Sequence, residues 1–120
     1  MRPCKPPEST RAVGARAERR ARLHYLVRGY RVIGTNVRAA AGEIDLIVRR
    51  GQVLVFCEVK TKLGDQFGDP AEMVDAEKQR RLRRTARAWL AANTELALCE
   101  VRFDVVAVRG GRLRRVPNAF

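Results

Sequence analysis

The chain has 120 residues, enough for one domain of ordinary size, which buries roughly 65% of its unfolded-chain surface, and too few for two. Hydrophobic residues make up 46% and charged residues 32%, which supplies a core and excludes a disordered chain. With 25 Lys+Arg against 13 Asp+Glu the net charge is +12, the balance of a protein that seeks polyanions, while no apolar run of about 18 residues offers a membrane span.

Residues 1–12 hold Pro3, Pro6, Pro7, Ser9 and Thr10 without apolar periodicity. They read as a mobile basic arm ahead of a single domain over 13–120, and they lack the apolar segment of a secretory signal. Cys4, Cys57 and Cys99 are widely spaced, so neither a disulfide framework nor a zinc knuckle is indicated, and a cytoplasmic, reducing location is expected. His24 is the only histidine, which leaves carboxylates and lysine as the main chemical groups.

A helix is predicted from Gly14 to Arg28, with Ala17, Ala21 and Tyr25 on one face and Gly29 as its stop. Strands follow from Tyr30, over Glu43–Arg49 and over Val53–Thr61, the last two forming a hairpin about Arg50-Gly51 or a slightly longer turn. A second helix spans about Ala76 to Ala92, with Asp75 as N-cap, Asp69-Pro70-Ala71-Glu72 as a competing cap, and Leu82, Ala86, Trp89 and Leu90 as its buried stripe. Val101–Val108 and Leu113–Val116 close the domain through Gly110-Gly111. The expected class is α/β, a mixed sheet flanked by helices. Arg102 and Asp104, alternating with apolar neighbours, are expected to form a structural pair, and Cys57 and Trp89 to pack in the core.

The acids of the hairpin carry the chemical argument. If Arg49 pairs with Gln52, or Val48 with Val53, opposed residue numbers sum to 101, so Glu43 faces Glu58 and Asp45 faces Phe56. Period-two alternation then brings Glu43, Asp45, Glu58 and Lys60 out on one face, with Asp45 diagonal to Glu58. A three-residue loop would separate them. Carboxylates gathered this way raise one another's pKa unless a cation intervenes, and an all-oxygen set suits Mg²⁺ or Mn²⁺. Lys60 would offset charge on a phosphorane-like transition state. The simpler alternative is a solvent-facing strand on which Lys60 merely pairs with Glu58 or Glu43.

Around these residues the chain resembles the PD-(D/E)XK nuclease superfamily, which includes restriction endonucleases and archaeal Holliday junction resolvases, and more closely the YraN family of bacterial proteins. The likeness runs through Glu18, Gly29-Tyr30, Asn36, Gly42-Glu43-Ile44-Asp45-Leu46-Ile47, Glu58-Val59-Lys60-Thr61-Lys62, Phe67-Gly68, Pro70, Lys78-Gln79, Arg102-Phe103-Asp104-Val105-Val106 and Asn118-Ala119-Phe120. It implies a restriction-endonuclease-like core, with Asp45 and Glu58 matching metal-binding acids and Lys60 the catalytic lysine. Glu18 matches an acid on the first helix of resolvases, and Gln79 a glutamine that follows the lysine motif. Help to the metal from Glu18 or Glu43, a preference for branched DNA and a two-fold homodimer are further expectations of that likeness.

Lys78, Arg80, Arg81, Arg83, Arg84 and Arg87 line the second helix, and Arg16, Arg19, Arg20 and Arg22 the first. This one-sided charge suits phosphate-backbone contacts by Lys62, Lys78, Gln79, Arg81 and Arg84 rather than base readout. The leading expectation is a Mg²⁺- or Mn²⁺-dependent nuclease. The alternative is a nucleic-acid-binding module or subunit of a DNA-processing assembly without turnover.

Overall fold

The computed structural model describes residues 10–40, 42–61 and 74–120. Helix α1 (Thr10–Leu26) is followed by β1 (Arg31–Ala39), β2 (Gly42–Arg50), β3 (Val53–Thr61), helix α2 (Ala76–Ala92), β4 (Glu100–Arg109) and β5 (Arg112–Val116). The predicted elements are all present. Helix α1 starts at Thr10, inside the segment expected to be an arm; residues 1–9 lie outside the described residues, as do the competing cap at 69–72, Lys62, Phe67, Gly68 and Pro70.

The strands form one mixed sheet in the order β1-β2-β3-β4-β5. Neighbours are antiparallel except β3 and β4. A parallel pair needs a crossover, and the segment holding α2 supplies it. The helices divide the core between them. Ala17, Ala21 and Tyr25 of α1 pack on Leu46, Val48, Val55, Cys57 and Val106, whereas Leu82 and Ala86 of α2 pack with Ile44, Ile47, Leu54, Phe56 and Val105. Trp89 meets Phe56 edge-on at 5.8 Å between ring centroids, and Cys57 is buried, as the sequence indicated. This is a single α/β domain with helices against a mixed sheet, the architecture of a restriction-endonuclease-like core.

Two glycines set the geometry near the acids and the helix end. Gly29 takes φ +86°, a left-handed conformation without penalty for a residue lacking Cβ, and turns the chain so that the Tyr30 N–H donates back to the Tyr25 carbonyl at 3.1 Å. Gly42 starts β2 so close to α2 that a Cβ there would collide with the Thr85 hydroxyl.

The hairpin corrects the expected register. Arg50 pairs with Val53 and Leu46 with Cys57, so the two-residue turn is Gly51-Gln52 and opposed numbers sum to 103. Gly51, at φ +59°, supplies the backbone conformation that such a tight turn favours. The expected facing of Asp45 with Phe56 is thereby overturned, because Phe56 pairs with Ile47 and the regular pairs end at Leu46↔Cys57. The shift of two residues preserves face parity as far as Leu46, and beyond it the bond from the Val59 N–H to Asp45 keeps the acid beside the lysine motif.

Strict alternation also fails at Asp45. Ile44 packs beneath α2, while Leu46, only two residues away, packs beneath α1. The regular pairing of β2 with β3 extends from Arg50↔Val53 to Leu46↔Cys57, after which the Val59 N–H donates to the Asp45 side chain, Oδ2, at 2.8 Å. On the other side, Asn36 of β1 takes φ +50°, a left-handed value that asparagine tolerates better than most residues. The sheet is therefore irregular where the expected metal-binding aspartate lies.

Candidate active site

Each acid is delivered by a different local cause. Glu18 lies one residue beyond buried Ala17 on α1, and its carboxylate meets Asn36 of β1. Hydrogen-bond chemistry orients the Asn36 amide so that its nitrogen donates to both Glu18 Oε1 and Glu43 Oε1, each at 3.2 Å. One amide thus ties an acid of the first helix to an acid at the start of β2. Glu43 also lies 3.7 Å from Arg38, but that pair is exposed, at 40% and 84% of the two side chains, and contributes little.

Asp45 sits among these groups. It is partly buried, and its carboxyl is pushed up to about 7, first by burial, then by the negative charge of Glu58, with Glu18 and Glu43 adding to the shift. The Val59 N–H acts in the opposite direction. All three neighbouring acids therefore work against ionisation of Asp45, as expected for clustered carboxylates.

Glu58 is more deeply buried, with its side chain 8% exposed. It is held by two lysines: Lys60 Nζ lies 3.3 Å from Glu58 Oε1, and Lys78 Nζ lies 3.0 Å from the same oxygen. Burial depresses the Lys60 pKa, and the neighbouring Lys78 depresses it further. Burial also opposes the charge on Lys78, but the bond and charge of Glu58, with Asp45 behind it, raise its pKa. The structure thus brings together Asp45, Glu58 and Lys60, with Glu18 and Glu43 close enough to act electrostatically on Asp45.

Lys78, expected to touch nucleic acid, has its ammonium at the acids in this structure. Asp75 caps α2, accepting the Lys78 N–H at 2.8 Å, and Gln79 folds back so that its Nε2 donates to the Val74 carbonyl at 3.0 Å. The Gln79 amide is thereby used in fixing the helix start. Arg81 and Arg84 remain exposed on α2, and Arg81 joins Gly42, Glu43, Lys78, Leu82 and Thr85 around a small cleft of about 170 Å³. A sequence signal for Lys78 does exist: a lysine in the first helical turn is opposed by the helix dipole and calls for a compensating anion.

The residues fit a divalent cation in chemical type. A partly buried carboxylate surrounded by like charges gains most from an added cation, and two carboxylates completed by water are an ordinary complement for Mg²⁺. Among the described residues no group of three or more His, Cys, Asp or Glu side chains is arranged so that it could hold a metal ion. What the fold does assemble is an acid cluster, with Glu58, Glu18 and Glu43 all acting on Asp45.

A second polar cluster lies beneath α1. Asp104 is fully buried. It accepts from Tyr25 Oη at 2.7 Å, Arg102 Nε at 2.9 Å and the Asn118 N–H at 2.9 Å. Arg102 Nη2 also donates to Tyr30 Oη at 2.9 Å. The expected structural pair is present and forms part of a larger network. His24 is held below its usual pKa by burial and then by Arg28, in keeping with a packing role.

Among the described residues no helix is long and apolar enough to cross a membrane. A family model described as "Uncharacterised protein family UPF0102" matches residues 17–108. A UPF0102 protein of Symbiobacterium thermophilum is 48% identical over 117 residues, covering 92% of this chain and 98% of the relative. A relative from Serratia proteamaculans is 46% identical over 116 residues, with coverage of 93% and 97%. Another from Shewanella amazonensis is 43% identical over 107 residues, with coverage of 89% and 97%. The family match takes in α1 from Ala17 onward, the whole of α2, the acid cluster and Asp104, and on that basis the chain belongs to the UPF0102 family, also called the YraN family.

Proposed function

We propose that this protein is a divalent-metal-dependent nuclease that grips nucleic acid, DNA in the first instance, through its basic helices. The observation that carries the reading is the site around Asp45: a carboxyl raised to about 7 by burial and by Glu58, beside two lysines that converge on the Glu58 carboxylate. Asp45 and Glu58 would hold Mg²⁺ or Mn²⁺, with Glu18 and Glu43 adding negative potential. The bound ion supplies a more acidic water and positive charge for phosphate oxygens.

The protein's own groups perform the remaining tasks. Lys60 places a cation where negative charge develops on the phosphoryl group, and Val59 N–H orients Asp45. Exposed arginines of α2, including Arg81 and Arg84, contact the phosphate backbone. The absence of a recognised base-reading motif favours selection by nucleic-acid shape, and the resolvase likeness favours branched DNA cut by a two-fold dimer.

Purified protein incubated with single-stranded, duplex and branched DNA should cut at least one substrate with Mg²⁺ or Mn²⁺ and none with chelator. Asp45→Ala, Glu58→Ala and Lys60→Ala should each lower the rate by roughly 100-fold or more. Cleavage that persists in all three would place the chemistry elsewhere. A second reading, binding without turnover, is favoured by the two lysine partners already engaging Glu58; metal-independent binding without cleavage of any substrate would select it.

A further inference from the structure

The position of Lys78 carries an inference that deepens, and rests on, the metal-centre reading. Lys78 lies in the first turn of α2, where aligned peptide dipoles oppose a cation. Its backbone is fixed by Asp75, which accepts its N–H, and the same turn is tied down through Gln79 and Val74. From this fixed base the side chain reaches Glu58 Oε1 at 3.0 Å, nearer than the 3.3 Å of Lys60. The Glu58 side chain is only 8% exposed, whereas Lys78 remains 27% exposed. The carboxylate is therefore the enclosed partner, and the long lysine side chain is the one with a route to solvent.

A divalent ion held by Asp45 and Glu58 would take over the charge compensation that Lys78 provides. Two cations competing for one carboxylate oxygen repel each other, and Lys78, as exposed as Lys60 at 27%, is the one of the two lysines that lines the neighbouring cleft. Glu43 and Arg81 border the cleft that Lys78 also lines, so a released ammonium emerges beside the basic face of α2.

We propose that Lys78 is the resident counter-ion of Glu58, displaced when the divalent ion enters and then available to a phosphate of the bound nucleic acid. The exchange couples the two ligands: metal entry frees a cation for the strand, and capture of that cation by a phosphate favours metal entry by reciprocal linkage.

Mn²⁺ binding in the absence of nucleic acid, measured by titration calorimetry and by the electron paramagnetic resonance signal of free Mn²⁺, tests this without an activity assay. Lys78→Met should lower the Mn²⁺ dissociation constant by roughly five- to tenfold, Lys78→Arg should stay near the parent value, and Asp45→Asn should abolish binding at the site. The parent protein provides an independent measurement. Its lysines are Lys5, Lys60, Lys62 and Lys78, so trace acetylation followed by mass spectrometry can report each one, and Lys78 should become more reactive at saturating Mn²⁺ while Lys5 serves as the reference.

Unchanged or weaker Mn²⁺ binding in Lys78→Met, with Asp45-dependent binding in the parent, would overturn the counter-ion role and leave the metal centre standing. Unaltered Lys78 reactivity at saturating Mn²⁺ would also overturn it. No Asp45-dependent Mn²⁺ binding in the parent would remove the metal centre and this inference together. Circular dichroism of each variant establishes that binding is compared between folded proteins.

Discussion

Asp104 on β4 and Asp45 on β2 are acids of the same sheet with surroundings of opposite kind. Asp104 is fully buried, yet Tyr25, Arg102 and the Asn118 N–H donate to it at 2.7–2.9 Å. Asp45 accepts the Val59 N–H but experiences the charges of Glu58, Glu18 and Glu43. The first acid is neutralised and oriented by groups of the fold, which makes it architectural. The second is opposed by its acidic neighbours, which makes it receptive to a cation from outside. Burial alone therefore does not identify a chemical site; the sign and number of the partners do.

The strongest test of this contrast is removal of the architectural acid. Asp104→Ala should destabilise the protein by about 3–5 kcal/mol, because Arg102 loses its carboxylate and Tyr25 its acceptor, as measured by urea unfolding. A loss under about 1 kcal/mol would show that the network contributes little to the fold.

Asp45→Asn should act in the opposite direction in chelator. An acid whose folded pKa lies at about 7, above its ordinary 3.8, favours folding least when it is ionised. Its unfavourable contribution is absent well below pH 3.8, grows as pH rises, and is complete above about pH 7. Asn should therefore stabilise the protein at pH 8 by on the order of 2 kcal/mol, after allowance for solvent screening, with the gain shrinking toward pH 4. Thermal melts across that range measure it, and a pH-independent difference would remove the electrostatic explanation.

Tyr25→Phe should cost about 1.5 kcal/mol through loss of one hydrogen bond to a buried carboxylate, while keeping the apolar ring in place. Calorimetric melts should show this smaller penalty without loss of the fold. The smallest effects belong to the exposed face: Arg81→Ala and Arg84→Ala should each reduce the salt slope of DNA binding by about one, with little change in stability. Fluorescence anisotropy over a salt series would measure the change, and unaltered slopes would move the nucleic-acid path away from α2.

Much of the site could be read before the fold was known. Asp45 and the Glu58-x-Lys60 pair lie on adjacent strands, so a two-residue register error did not disperse them, although the bond that holds Asp45 to Val59 lies where regular alternation ends. Glu18 borders a helical stripe ending in Tyr25, but that position equally suits a surface pair with Arg22, and only the family likeness pointed it toward the acids. Asn36 was legible only as part of a family likeness; its connection of Glu18 to Glu43 depends on a left-handed residue in β1 and on α1 crossing nearby. Lys78 was assigned to the outer basic face because helical periodicity specifies a direction around an axis, but not how far a flexible lysine reaches toward another element.

The sequence by itself determined the element order, the two apolar helix stripes, the basic surface and the motif that gathers acid and amine on neighbouring strands, because periodicity and charge are local properties. Only the tertiary structure decided that Asp45 interrupts the regular alternation of β2, that Lys78 reaches Glu58, and that Asp104 is enclosed by donors from α1, β4 and the C-terminal segment. Those outcomes depend on the angle and distance at which separate elements pack, which fix the electric environment of each buried carboxylate.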